Sequence, residues 1–149
     1  MKKIFLFIAI ILAMNVYSQT EYNVSASGGD NTGRGDVGVI LTTAIANGET
    51  VFRFTPGRYK IITGVDFPNG SALIIDRGAL LDVKDTLTGY NTAIEAGDYQ
   101  IFTRASNLDG SWEIDEFPIS WFGALGDGNN ISIELDAAAA FSILKGESL

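Results

Sequence analysis

From residue 51 onward, turn-forming residues divide the chain into short apolar segments. Turn signals recur about every eight to twelve residues, which is typical of proteins built from short strands. Pro56-Gly57 predicts a type II turn, and Asn69-Gly70 and Arg77-Gly78 predict two more turns. The predicted β-strands are residues 51–54, 59–62, 71–76, 79–83, 92–95, 99–104 and 112–114.

The composition of these segments predicts a mainly β fold without deciding its architecture. Residues 79–83 read ALLDV, which is too apolar for a strand with one face in water. Burial on more than one side is therefore predicted. On pattern alone, a sandwich, a small barrel and a β-solenoid all remain open.

Two short helices are predicted, one before and one after the strands. Residues 20–36 are polar and glycine-rich and are predicted to be irregular, with Asp36 as the N-cap of a helix near residues 37–46. Ser132 is the corresponding candidate N-cap for a helix over residues 133–144. Both helices carry apolar residues at the spacing of a single face.

The first eighteen residues are predicted to be a secretory signal peptide. Lys2 and Lys3 precede an apolar stretch at residues 4–13 that is too short to span a bilayer. Cleavage is expected after Ser18, and the alternative is an uncleaved membrane anchor. The protein is predicted to be secreted, or to lie in the periplasm or on the cell surface of a bacterium.

Composition excludes several classes of function. The chain has no cysteine and no histidine, which removes disulfides, Ser-His-Asp catalysis and imidazole zinc sites. Without Lys2 and Lys3, eight basic residues stand against eighteen acidic ones, a net charge of −10. Such a charge disfavours nucleic acid and anionic lipid as partners, and no membrane insertion is expected after signal cleavage.

A short internal similarity links the two helix regions. Residues 29–51 and residues 126–149 both begin with Gly-Asp, pass through a polar loop into a helix pattern and end with Gly-Glu and an aliphatic residue. Strands follow the first copy, whereas the sequence ends with the second. If the similarity is real, the second unit lacks the strands that its helix would cover.

The stretch WFGALGDGNN (121–130) resembles the opening segment of the pectate-lyase-like superfamily of right-handed parallel β-helices. That superfamily includes polysaccharide lyases, glycoside hydrolases and phage tailspikes. Residues 55–61, 68–83 and 97–102 are similar to early coils and linking regions of such proteins. One departure is that Ile131 and Ser132 stand where the family has paired aspartates.

The resemblance implies a fold, a domain division and a function. The fold would be the start of a right-handed parallel β-helix with short capping helices, truncated before its first full coil. Residues 19–118 would form a β-rich accessory region, and residues 119–149 the opening segment and capping helix. The parent protein would act on or bind polysaccharide, as a lyase or a hydrolase. This chain alone is expected to catalyse nothing.

Two other interpretations stay open. In the first, the parent protein is a non-catalytic β-helix adhesin or a tailspike-like protein that binds carbohydrate. In the second, the chain is a complete small secreted β domain. The sequence specifies neither the polysaccharide nor the oligomeric state.

Candidate charged residues lie among the predicted strands. Asp66, Asp76, Asp82 and Asp85 are candidates for a carboxylate pair, although turn-flanking aspartates more often bind local backbone N–H groups. Arg77 and Lys84 are candidates to neutralise a uronate, with ion pairing to nearby aspartates as the preferred role. No catalytic or substrate-binding residue is assigned.

Three further motifs have a functional and a structural interpretation. Asp127-Gly128-Asn129-Asn130 carries oxygen ligands that suit calcium but lacks a distal bidentate glutamate, so a plain turn is preferred. No cofactor is predicted for this chain, and the resemblance allows calcium in the full-length parent. Arg34-Gly35-Asp36 spells an integrin-binding tripeptide. The aromatic residues proposed for sugar stacking, with core packing as the preferred role, are Tyr59, Tyr99, Trp112, Trp121 and Phe122.

Overall fold

The computed structural model describes residues 20–104, 106–114 and 118–123. These residues form a mainly β structure with parallel strand pairing, which confirms the predicted fold class at that level. The elements of the described residues are β1 (Tyr22–Asn23), α1 (Gly38–Ala46), β2 (Val51–Phe54), β3 (Gly57–Ile61), β4 (Val65–Asp66), β5 (Ala72–Ile75), β6 (Ala79–Val83), β7 (Leu87–Glu95), β8 (Leu108–Glu113) and a 3₁₀ helix (Ile119–Phe122).

In most strand pairs the paired residues are 21 or 22 positions apart in the sequence, whereas the offset is 30 in β1–β2 and 20 in the second half of β7–β8. Three series of partners show this offset: Phe52–Leu73–Ile94, Tyr59–Leu81–Phe102 and Val65–Leu87–Leu108. All of these side chains are buried except Leu108, which packs partly buried against the same core. The repeated offset stacks equivalent positions on one another, so apolar side chains from successive strands form one continuous core.

The strands form two sheets. One has six strands in the order β1-β2-β5-β7-β4, with β8 also paired to β7, and the other is the two-stranded β3–β6 sheet. The long strand β7 bends at Asn91, which has a φ of 46° beside a register irregularity. The Asn91 side chain donates to Asn69 Oδ1 at 2.8 Å, and its backbone N–H donates to Ser111 Oγ at 2.8 Å. Polar side chains therefore connect Asn91 to residues about 20 positions before and after it in the chain.

Two turn predictions are confirmed and one is wrong. Asn69-Gly70 and Arg77-Gly78 form turns, with φ values of 74° and 90° at the glycines. Gly57 also has a positive φ, but at 146° it is already the first residue of β3 and not part of a type II turn. A Cβ atom there would lie 2.6 Å from the backbone oxygen of Asn31, so this glycine allows a close passage of two backbones.

The predicted irregular lead-in contains sheet structure. β1 pairs with β2, and Thr32 forms a bridge with Arg58. Neither contact has a local sequence signal, because the partners are about 30 residues away in the chain. The polar residues of this segment pair through their backbones while the side chains stay near the surface.

The first predicted helix is present, with a different start. α1 begins at Gly38 and buries Leu41 and Ala44, but its N-cap residue is Val37 and not Asp36. The Asp36 carboxylate still accepts from Gly38 N–H at 2.9 Å, and it also accepts from Ile62 N–H at 2.8 Å. Asp36 therefore ties the helix start to the loop after β3.

The strand predicted over residues 99–104 is reduced to a single bridge between Leu81 and Phe102. Backbone bonds from Tyr99 N–H to Gly97 O and from Ser106 N–H to Thr103 O close tight turns on both sides. Strand β4 and the first half of β7 lie outside the predicted segments. β4 contains an aspartate and the first half of β7 contains a glycine, and both residue types are depleted in strands.

The residues of the opening segment that the structure describes pack onto the preceding strands. Trp121 and Phe122 are buried, and Phe122 stacks on Phe102 with ring centroids 5.4 Å apart. The Trp121 carbonyl accepts from the backbone N–H groups of Ile101 and Phe102. These contacts cross the domain boundary drawn at residue 118, which stays a prediction.

The remaining predictions concern residues outside the described ones. These are the signal peptide (1–18), the loop Asp127–Asn130 and the second helix (133–144). In the described part of the chain, no helix is both long enough and apolar enough to cross a membrane.

Candidate functional site

The four aspartates considered for a carboxylate pair lie in separate surroundings. Asp76 pairs with Arg53, and Asp82 pairs with Arg58 and Lys84. Asp85 accepts a hydrogen bond from the backbone N–H of Gly64 at 3.2 Å, and Asp66 is exposed on β4. Within the described residues, no hydrogen bond joins any two of the four.

The β3–β6 sheet presents a row of charged residues on its outer side. Tyr59 and Ile61 of β3 point into the core, so the alternating residues Arg58 and Lys60 point outward. Lys60 is directly opposite Asp82 in the parallel register. Asp82 therefore also projects from the outer side.

Asp82 is buried although it lies on the outer side of its sheet. Its Oδ2 accepts from Arg58 Nη2 at 2.7 Å, and its Oδ1 contacts Lys84 Nζ at 2.7 Å and accepts from Thr103 Oγ1 at 3.0 Å. The side chain is only 3% exposed, whereas those of Arg58 and Lys84 are 53% and 42% exposed. We call these four residues the Asp82 cluster.

The contacts of the Asp82 cluster keep its carboxylate ionised. Burial alone favours the neutral form, but the hydrogen bonds from Lys84, Arg58 and Thr103 outweigh it and lower the pKa of Asp82 to about 2. The Asp82 carboxylate uses only some of the hydrogen-bond donors of Arg58 and Lys84. Within the described part of the chain, Arg58 makes its side-chain hydrogen bond through Nη2 alone, and its guanidinium carries five N–H donors.

A loop over Arg58 restricts this side chain further. Gly33 has a φ of 79°, and a Cβ atom there would lie 2.9 Å from Arg58 Cδ. The loop is held by the Asp30 carboxylate, which accepts from Thr32 Oγ1 at 2.6 Å, Thr32 N–H at 2.8 Å and Arg34 N–H at 3.0 Å. These bonds, led by the one from the Thr32 hydroxyl, lower the pKa of Asp30 to about 2. The aliphatic part of Arg58 therefore lies under an ordered loop.

A second charged cluster lies on the six-stranded sheet and joins β2 to the residues that flank its neighbours β1 and β5. Arg53 donates through Nη2 and Nε to the two carboxylate oxygens of Asp76, at 2.8 and 3.0 Å. Its Nη1 donates to Glu21 at 3.1 Å. In this Arg53 cluster one guanidinium serves two carboxylates, so its planar donor set is largely used within the chain.

The remaining sequence candidates have mainly structural positions. Arg77 lies over the ring of Tyr99, 5.3 Å from its centroid, and among the described residues it does not form the expected ion pair with a neighbouring aspartate. Lys84 does form the expected ion pair with an aspartate. The aromatic residues that were considered for sugar stacking and are buried instead are Tyr59, Trp112, Trp121 and Phe122.

The Arg34-Gly35-Asp36 tripeptide also serves the fold. The Asp36 carboxylate accepts from Thr63 Oγ1 at 2.6 Å, besides the backbone groups of Gly38 and Ile62. Burial opposes ionisation of Asp36, but these bonds prevail and lower its pKa. The carboxylate that an integrin site requires is thus occupied within the chain.

Sequence reasoning did not single out Arg58, Thr103 or Asp30. Arg58 could have been found from the alternation in GRYKI, which places it on the outer side with Lys60. Thr103 had no such signal, because its contact with Asp82 depends on the offset of about 21 residues between strands.

In the described ranges, no group of three or more acidic side chains is placed to hold a metal ion. Comparisons of the chain with protein-family models, curated proteins and solved structures found no match.

Proposed function

We propose that this chain is the N-terminal part of a secreted bacterial protein that binds polysaccharide and is built as a right-handed parallel β-helix. Parallel pairing at a repeated offset of 21 or 22 residues supports this architecture. The right-handed sense is the rule for parallel crossovers within a sheet. The resemblance of residues 121–130 to the pectate-lyase-like superfamily agrees with this proposal.

The observation that carries the binding proposal is the concentration of cations on the β3–β6 sheet. Arg58 and Lys84 contact one carboxylate there and Lys60 lies opposite it in the strand register, although acidic residues outnumber basic ones by 18 to 10 in the whole chain. A local excess of positive charge attracts an anionic polymer even when the net charge is negative. The proposed ligand is a polysaccharide with acidic groups.

We propose binding and not catalysis for the described residues. The carboxylates considered for acid–base chemistry are engaged with different partners, and glycoside hydrolysis requires two carboxyl groups flanking one bond. Any lyase or hydrolase activity would belong to other parts of a parent protein.

The test is binding of fluorescent polygalacturonate to the purified chain, with neutral dextran as a second ligand. Lys60→Gln is expected to weaken polygalacturonate binding about fivefold, because one cation facing the polymer is removed. Arg77→Gln is the control, since it removes one exposed charge that lies over Tyr99 and outside the Asp82 cluster, and it should change binding less than twofold. Equal binding of dextran, or equal losses in both variants, would contradict the proposal.

A further inference from the structure

The Asp82 cluster contains a negative charge at the centre of a surface proposed to bind anions. Removing that charge would raise the local positive potential. If Asp82 acted only through its charge, its loss would therefore strengthen binding of a polyanion. The geometry of the cluster indicates the opposite.

Asp82 holds two cations at opposite ends of one carboxylate. Arg58 binds Oδ2 and Lys84 binds Oδ1, each at 2.7 Å, and Thr103 supports Oδ1 at 3.0 Å. Without the carboxylate, the two cations would repel each other and their long side chains would recover rotamer freedom. Both side chains stay about half exposed, so each cation retains surface for a ligand.

We propose that Asp82 is a positioning residue that holds Arg58 and Lys84 so that they bind one oxyanion group of the polysaccharide together. This inference rests on the proposed function. The oxyanion is a carboxylate or a sulfate, because the same donors recognise both groups. A preordered pair loses less side-chain entropy on binding than two independent side chains.

The support for Asp82 comes from several elements of the fold. Asp82 lies on β6, Arg58 on β3, and Thr103 just after the bridge between Leu81 and Phe102. The loop held by Asp30 covers the stem of Arg58 through Gly33. Residues from β3, from β6 and from the segment bridged to β6 thus hold one pair of cations.

The experiment compares Asp82→Asn with Asp66→Asn in the full chain. Both variants remove one negative charge, but Asp66 is exposed on β4, away from the cluster. Asp82→Asn is expected to weaken polygalacturonate binding about tenfold, whereas Asp66→Asn should leave it unchanged or up to about twofold tighter. Dextran sulfate in a parallel titration shows whether sulfate or carboxylate is preferred. Tighter binding by Asp82→Asn would overturn the inference.

A second measurement separates this inference from the proposed function. ¹⁵N NMR of the Arg58 guanidinium reports restricted rotation when its hydrogen bonds persist. Rotation of the guanidinium is expected to be restricted in the unmodified chain and in Asp66→Asn, and to be free in Asp82→Asn. Equal mobility in all three proteins would overturn positioning by Asp82 even if polygalacturonate binds. Restriction by Asp82 in a chain that does not bind either polymer would refute the proposed function and retain the positioning role.

The same samples are used to check that each variant is folded. Circular dichroism and the unfolding midpoint identify variants that remain folded, and affinities are compared only among those. Asp82→Glu retains the charge and is expected to restore most of the binding lost in Asp82→Asn. Failure of this rescue in a folded Glu variant, together with mobile Arg58, would also contradict the inference.

Discussion

The Arg53 cluster and the Asp82 cluster have opposite charge ratios. In the first, two carboxylates share one guanidinium, whose Nε and both terminal nitrogens donate within the chain. In the second, two partly exposed cations share one buried carboxylate. A central cation whose donors all bond within the chain connects neighbouring strands. A central carboxylate instead leaves donors of the surrounding cations facing solvent. The ratio of charges thus separates a structural cluster from a candidate binding surface.

The largest expected difference between the clusters appears when the cations are removed. Arg58→Ala combined with Lys84→Ala leaves the Asp82 carboxylate buried without a charged partner and should reduce the free energy of unfolding by about 3 kcal/mol at pH 7. Arg53→Ala leaves two part-exposed carboxylates that water can reach, so the loss of stability should be clearly smaller. Urea denaturation measures both changes. Equal losses would remove the distinction between the clusters.

The pH dependence of stability gives a sharper test of Asp82. Its pKa is lowered from 3.8 to about 2 in the folded chain. The stabilisation from its ionised form is therefore complete above pH about 4 and is lost as the pH falls toward about 2.

The unmodified chain should accordingly exceed Asp82→Asn in stability by on the order of 2 kcal/mol at pH 7. The difference should shrink between pH about 4 and pH about 2. Thermal unfolding across this range measures it, with Asp66→Asn as the control. A constant difference down to pH 2 would mean that ionisation of Asp82 is not the source of the stabilisation.

The smallest expected effect concerns Glu21 in the Arg53 cluster. Glu21 and Arg53 are both more than one-third exposed, and such pairs contribute about 0.5 kcal/mol or less. Glu21→Gln should lower the free energy of unfolding by that amount at low salt and by nothing measurable in 1 M NaCl. A larger or salt-independent loss would show that Glu21 has a packing role as well.

The sequence predicted those parts of the fold that depend on local patterns. ALLDV and VFRF coincide with β6 and β2, and Gly70 and Gly78 occupy turns as their conformational freedom allows. β1 and the bridge at Thr32 depend on pairing with residues about 30 positions away, which no local pattern encodes.

The same distinction applies to the candidate site. Asp82 and Lys84 were identified by residue type, and their ion pair follows from closeness in sequence. Burial of Asp82 was not predictable, because Arg58 and Thr103 reach it from strand positions more than 20 residues away on either side. An aspartate on the outer side of a strand is ordinarily solvated. Asp82 is buried because the pairing between segments places Arg58 and Thr103 beside it.

The repeated offset between paired residues has a consequence for insertions and deletions. One extra residue inside a strand would exchange its inward and outward side chains and bring charged groups into the core. Loss of a complete 21-residue segment, such as residues 72–92, would instead place β2 beside the second half of β7 with every inward position kept. A chain with this strand pairing can therefore gain or lose a whole segment of about 21 residues and keep the same side chains facing inward.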